Sequence, residues 1–173
     1  GMAEALKMSL CFDEEGFSLF EEEDPYSALN EIIENALKTK KRVVEVDERE
    51  SGLRRSLNFG HTLGHGIESV SRGSLLHGEA VALGMLPMCP EKVRERLYPI
   101  YEKLDLPVTL EEIRGYRGKE LKEKIMEAVL HDKKLASGVI KTVFVNEPGS
   151  FCFIEMKPEE LGKKLAECFG GMD

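Results

Sequence analysis

The sequence predicts a mainly α-helical single domain with one small β-hairpin near the C-terminus, over residues 1–173. Three observations predict it. Apolar positions recur at helical spacing along most of the chain, in runs bounded by Pro, Gly or charged turns. Alternating β-branched and aromatic residues occur over 139–145 and 151–154, and Asn146-Glu-Pro-Gly149 between them reads as a hairpin turn. No internal repeat, low-complexity tract or long linker divides the 173 residues, a length suited to one core.

The elements follow in order. Residues 2–12 read as a short helix, 13–16 as a break and 17–23 as another helical turn. Pro25 follows Asp24 at a first helical position. A long helix then runs to about residue 47, with Leu29, Ile32, Ile33, Ala36, Leu37 and Val43 as its core face. A charged connection over 48–52 leads to a helix over 53–70 that carries two histidines. Residues 71–76 form a loop. A helix over 77–85 is ended by Pro87 and Pro90, and 91–104 is amphipathic. Thr109 is read as the cap of a short helix to residue 116. Helices over 119–130 and from Pro158 to about 169 flank the hairpin.

Composition narrows the function. The formal charge of −8 argues against nucleic acid or an acidic membrane as partner. No 18-residue apolar run and no basic leader with an apolar core is present, so we read neither a membrane span nor a signal peptide. Cys11, Cys89, Cys152 and Cys168 are scattered without a C-x-x-C pair, which fits free thiols in a reducing cytoplasm. The chain has neither G-x-G-x-x-G nor a P-loop, and so carries no nucleotide fingerprint of its own.

The chemistry concentrates in one place. Three of the four histidines, His61, His65 and His77, fall within 17 residues. On one continuous helix, Arg54, Asn58, His61 and His65 step by four, three and four and share a stripe. A cation, an amide and two imidazoles are groups that bind a metal or grip an anion. His61 and His77 on consecutive helices can converge on a metal, with a third ligand from elsewhere, or can be two ordinary satisfied histidines. Gly60, Gly64, Gly66 and Gly78 crowd the same region, which points to close approach of another helix or of a ligand. Glu4 and Lys7 by themselves read as an ordinary i, i+3 surface pair. The basic run around Lys40 reads as a solvated face, and Asp132-Lys133-Lys134 as a polar turn.

Four segments together carry a resemblance: E-A-L-K at 4–7, K-R-V-V-E-V-D-E-R-E-x-G-L-R at 41–54, L-N-F-G-H-T-L-G-H-G-I-E at 57–68 and L-L-H-G-E-A-V-A-L-G-M at 75–85. They resemble 3-dehydroquinate synthase, as do the D-K-K at 132–134 and the hairpin. The resemblance covers the C-terminal half of such an enzyme. It implies a further N-terminal α/β domain that binds NAD and is not among these residues, so this chain alone is expected to be inactive. It further implies that Glu4, His61 and His77 hold Zn2+ or another divalent metal such as Co2+. Lys7 would meet substrate hydroxyls beside the metal. Arg54, Lys40 and one of Lys133 or Lys134 would grip the carboxylate and nearby polar groups. Asn58 and His65 would serve the phosphate side, with Lys7, His65 and Arg54 catalytic. The implied reaction is a phosphate-eliminating cyclisation of 3-deoxy-D-arabino-heptulosonate 7-phosphate to 3-dehydroquinate in the shikimate pathway, by a cytoplasmic homodimer. Three rivals stand beside it: a related sugar-phosphate cyclase, a metal-dependent polyol dehydrogenase, and a non-enzymatic module that binds a metal or a partner.

Overall fold

A computed structural model describes residues 1–49, 52–132 and 138–170. Eight α-helices are found among them: α1 Met2–Phe12, α2 Glu14–Glu21, α3 Leu29–Val46, α4 His61–Ser71, α5 His77–Met85, α6 Glu91–Lys103, α7 Gly118–Asp132 and α8 Pro158–Cys168. The strands β1 Ile140–Glu147 and β2 Ser150–Met156 pair antiparallel, with Ile140 opposite Met156 and Val145 opposite Phe151. The mainly helical class and the hairpin are as the sequence predicts. Lys133 and Lys134 lie outside the described residues.

The core is built around α1 and α5. Every residue from Ala80 to Met85 is buried, so α5 is apolar all round rather than on one stripe. Helix α1 is buried from Ala5 to Cys11 and meets α2, α3, α5 and the hairpin. Its Leu10 carbonyl accepts a hydrogen bond from Gly149 N at the hairpin tip (2.9 Å), and Phe12 packs edge-on to Phe151 at 5.2 Å. Helix α4 lies between α5 and α7. Gly64 on α4 and Gly84 on α5 let these two backbones touch. A Cβ on Gly84 would fall 2.1 Å from the Gly60 carbonyl oxygen. The glycine cluster therefore serves the approach of another helix.

Four readings need correction. The helix expected over 53–70 is broken. Leu53–Asn58 is a 3-10 helix, Phe59 and Gly60 form a turn in which Gly60 takes φ +75°, and α4 begins at His61. Only glycine adopts that backbone at no steric cost. Arg54 and Asn58 therefore share no helical stripe with His61 and His65. The helix expected after Thr109 is absent: residues 109–116 form turns. They hold too few local hydrogen bonds to propagate a helix, and instead seat Leu110 and Ile113 in the core. The break expected over 13–16 shrinks to Asp13, whose side chain accepts from Gly16 N (2.9 Å) and starts α2 at once. Helix α2 ends at Glu21, and Lys103 of α6 caps that end by donating to the Glu21 and Glu22 carbonyls. Last, α3 does not bury its expected face. Ile32 and Val43 are buried, but Ile33 and Leu37 are 46% and 63% exposed, since the described elements against α3, chiefly α1, leave that flank uncovered.

Candidate metal centre

The break at Phe59–Gly60 builds the site. A continuous helix would occupy the carbonyls of this segment in its own ladder. Ending it at Asn58 leaves carbonyls for side chains. The Leu57 carbonyl accepts from Lys7 Nζ at 2.6 Å, and the Phe59 carbonyl lies 3.1 Å from His61 Nδ1. Upstream, Asp47 holds the 3-10 segment by accepting from Gly52 N (2.8 Å) and Arg54 N (2.9 Å).

Three helices then bring Glu4 (α1), His61 (α4) and His77 (α5) together. One ligand atom from each lies within 4.8 Å of the others. The pair Glu4 Oε1 and His61 Nε2 is 3.5 Å apart. A tetrahedral ion with bonds of about 2.0–2.2 Å separates its ligand atoms by about 3.4 Å, so that pair already has the required spacing.

Donor chemistry supports a cation between them. A backbone carbonyl can only accept, so His61 Nδ1 carries the hydrogen and, in the neutral ring, Nε2 carries a lone pair. Burial first, then the nearby Lys7 charge, push His61 down to about 4, against the opposing pull of the Phe59 carbonyl and Glu4; the ring is neutral at pH 7. Its lone pair faces a carboxylate oxygen. Glu4 Oε1 is one of only two buried side-chain polar atoms without a hydrogen bond among the described residues. Two acceptors face each other with no proton between them, which is the arrangement a divalent metal resolves. The other oxygen, Glu4 Oε2, accepts from Lys7 Nζ at 2.7 Å. Burial pushes the Glu4 carboxyl up, but the Lys7 charge and hydrogen bond, with His61 and His77, outweigh it and hold the group below its usual range. Lys7 itself is 3% exposed. The reading of Glu4–Lys7 as an ordinary surface pair therefore fails: a buried lysine bridges a half-buried Glu4 and the Leu57 carbonyl.

The remaining predicted residues are only partly gathered. His65, one turn after His61, completes a cluster of three imidazoles, with ring centroids 5.4 Å from His61 and 6.1 Å from His77. It is exposed and lines a small cavity with Ser69, Ala128 and His131. Lys40 lines a cavity of about 340 Å³ between α1 and α3 that Glu4 also lines. Arg54 is half-buried and donates from Nη1 to the Glu48 carbonyl at 3.0 Å. Asn58 faces a different cavity, of about 590 Å³, with Arg55, Thr62 and the hairpin residues Lys141 and Glu155. One residue escaped the sequence reading. Glu68 Oε2 lies 2.9 Å from His77 Nδ1. The signal was available, since Glu68 is two helical turns beyond His61 and ends the third quoted segment.

With this geometry in view, comparison with known proteins is specific. The family model described as 3-dehydroquinate synthase C-terminal matches residues 1–135. Curated 3-dehydroquinate synthases from Synechocystis sp. and Enterococcus faecalis are 32% and 35% identical, across 94% and 93% of this chain. The chain spans about half the length of these relatives, 48% and 47%. A 2-epi-5-epi-valiolone synthase from Streptomyces hygroscopicus, solved with NAD+ and Zn2+ bound, shares the fold at TM-score 0.76 and 23% identity. That match covers 96% of this chain and 49% of the other. A 2-deoxy-scyllo-inosose synthase, solved with carbaglucose-6-phosphate, NAD+ and Co2+, matches at TM-score 0.72 and 20% identity, over 96% of this chain and 50% of the other.

Proposed function

The chain belongs to the 3-dehydroquinate synthase C-terminal family, and from that premise we propose that it is the metal- and substrate-binding part of a 3-dehydroquinate synthase. The reaction is the conversion of 3-deoxy-D-arabino-heptulosonate 7-phosphate to 3-dehydroquinate and phosphate. The observation that carries the proposal is the buried, unbonded Glu4 Oε1 facing the lone pair of a neutral His61. Curated relatives at 32–35% identity bear this synthase's name, which favours it over the other cyclases.

In this reading Glu4, His61 and His77 would hold Zn2+, or Co2+ in its place. Such a metal, when bound, lowers the pKa of a substrate hydroxyl and polarises the ketone made from it. NAD would be held by the relatives' other half, as an N-terminal domain of the same enzyme, and its nicotinamide carries the hydride. Lys7, fixed between Glu4 and the Leu57 carbonyl, keeps a positive charge beside the metal and offers a donor to a substrate oxygen. His65 stands beside the ligand pair and would donate to the phosphate side, helped by Asn58. Arg54, Lys40 and Lys133 or Lys134 would hold the carboxylate, where the planar guanidinium offers two parallel donors. Full length, the enzyme is a cytoplasmic homodimer, a reading supported by the family resemblance alone.

The test has two parts. Titration of the chain with Zn2+ against a chromophoric chelator is expected to give one tight site that H61A removes. Mixed with the heptulosonate phosphate, Zn2+ and NAD, the chain alone is expected to release no phosphate above background. Phosphate release that depends on this chain would overturn the division of labour, and an intact zinc site in H61A would overturn the metal centre.

A further inference from the structure

We propose that Glu68 is a positioning residue for the metal centre, fixing His77 in the tautomer and orientation that present its Nε2 to the ion. The inference rests on the metal reading above. His61 and His77 are held by different means. His61 is 16% exposed, fenced by packing, and its Nδ1 bonds to the Phe59 carbonyl. His77 is 48% exposed at the first position of α5, where its ring meets those of His61 at 5.5 Å and His65 at 6.1 Å but is open on its outer side. What orients its ring is Glu68 Oε2, 2.9 Å from Nδ1.

The chemistry of that contact is one-sided. A carboxylate accepts, so Nδ1 is the donor and, in the neutral ring, Nε2 carries the lone pair. Both histidines are thereby set in the same tautomer, one by a neutral carbonyl and one by a carboxylate. A carboxylate partner also makes the imidazole a stronger donor to a cation. The local fold keeps both ends of the contact in place. Glu68 stands in the last turn of α4, where Ser71 Oγ donates to its carbonyl at 2.7 Å. The start of α5 is pinned by Glu79 Oε2, which accepts from Leu76 N at 2.6 Å. The loop 72–76 thus joins two clamped helix ends, and Glu68–His77 crosses between them. A mere surface ion pair between such exposed groups would leave metal binding unchanged.

The experiment uses the 173-residue chain with E68A, E68Q and H61A. Zn2+ and Co2+ affinities are measured by chelator competition, and imidazole tautomers of the metal-free protein by 15N-resolved NMR at pH 8. E68A is expected to lose roughly 10–100-fold in affinity, and its His77 to pass from the Nδ1–H form to a mixture of tautomers. E68Q, whose amide oxygen still accepts from Nδ1–H, is expected to keep the tautomer and recover most of the affinity. Unchanged affinity and tautomer in E68A would overturn the proposal. So would an E68Q that loses as much affinity as E68A with a changed Co2+ absorption band, since Glu68 would then be a ligand itself. Because Glu68 is only half-buried on α4, both variants are expected to fold. H61A separates the two levels: if it too keeps full affinity, the metal reading fails and not only the role of Glu68.

Discussion

Glu4, His61 and His77 stand on three helices of which α5 packs on both α1 and α4, whereas Lys40, Arg54 and Asn58 stand on a half-exposed helix and a 3-10 segment around them. The first set converges within 4.8 Å; members of the second line separate cavities or bond to nearby backbone. The contrast teaches where precision is needed. Metal ligands must be held to a few tenths of an ångström, which only packed helices with locked side chains provide. Cations that attract an anionic substrate act over longer distances and can wait on flexible stems.

The largest effect tests the packed side. E4A or H61A removes a proposed ligand and is expected to weaken Zn2+ by more than the 10–100-fold typical of an outer partner, read by chelator competition. An equal loss in K40A would erase the distinction between the two sets. Next comes G84A. Its Cβ would strike the Gly60 carbonyl, so α4 and α5 must part. We expect a loss of about 3 kcal/mol in urea unfolding, the upper end for overpacking, and weaker zinc binding with it because His61 and His77 ride on those helices. If stability falls while zinc affinity holds, the ligands do not depend on that seam.

A third prediction uses pH. The unfolded chain protonates His61 near the ordinary imidazole value of about 6.5, but the folded chain does so only at about 4. Between these values the unfolded state binds more protons, so stability rises with pH. The contribution is intact above about 6.5 and is lost as pH falls toward about 4. Urea midpoints of the metal-free chain at several pH values should show this slope, and H61A should flatten it. An equal slope in H61A would assign it to another group. The smallest effect is reserved for the rim: K40A should change stability by no more than about 0.5 kcal/mol and leave zinc affinity unchanged, as expected for an exposed position.

The two sets also differ in how readable they were. The hairpin, α1, α7 and α8 follow from periodicity and turn chemistry, since a buried face must repeat at the period of its backbone. The 53–70 segment misled because its spacing suits a helix and Gly60 is silent about its φ. Whether a glycine sits within a helix or breaks it depends on what packs there, here Met85 and the Val81 carbonyl. The exposed flank of α3 misled for a similar reason: Ile33 and Leu37 keep helical spacing whether or not a neighbour covers them.

By itself, then, the sequence determined the helical class, the hairpin and two histidines able to converge on a metal, while Glu4 as the third ligand came only from the family resemblance. These are local or compositional properties, carried by residue type and spacing. Tertiary structure alone decided that Lys7 is buried against a half-buried Glu4, that the Phe59 and Leu57 carbonyls serve His61 and Lys7, and that Glu68 reaches His77 across a helix junction. Each of these depends on which backbone groups remain outside a helical ladder and which helices meet. Periodicity carries no record of either.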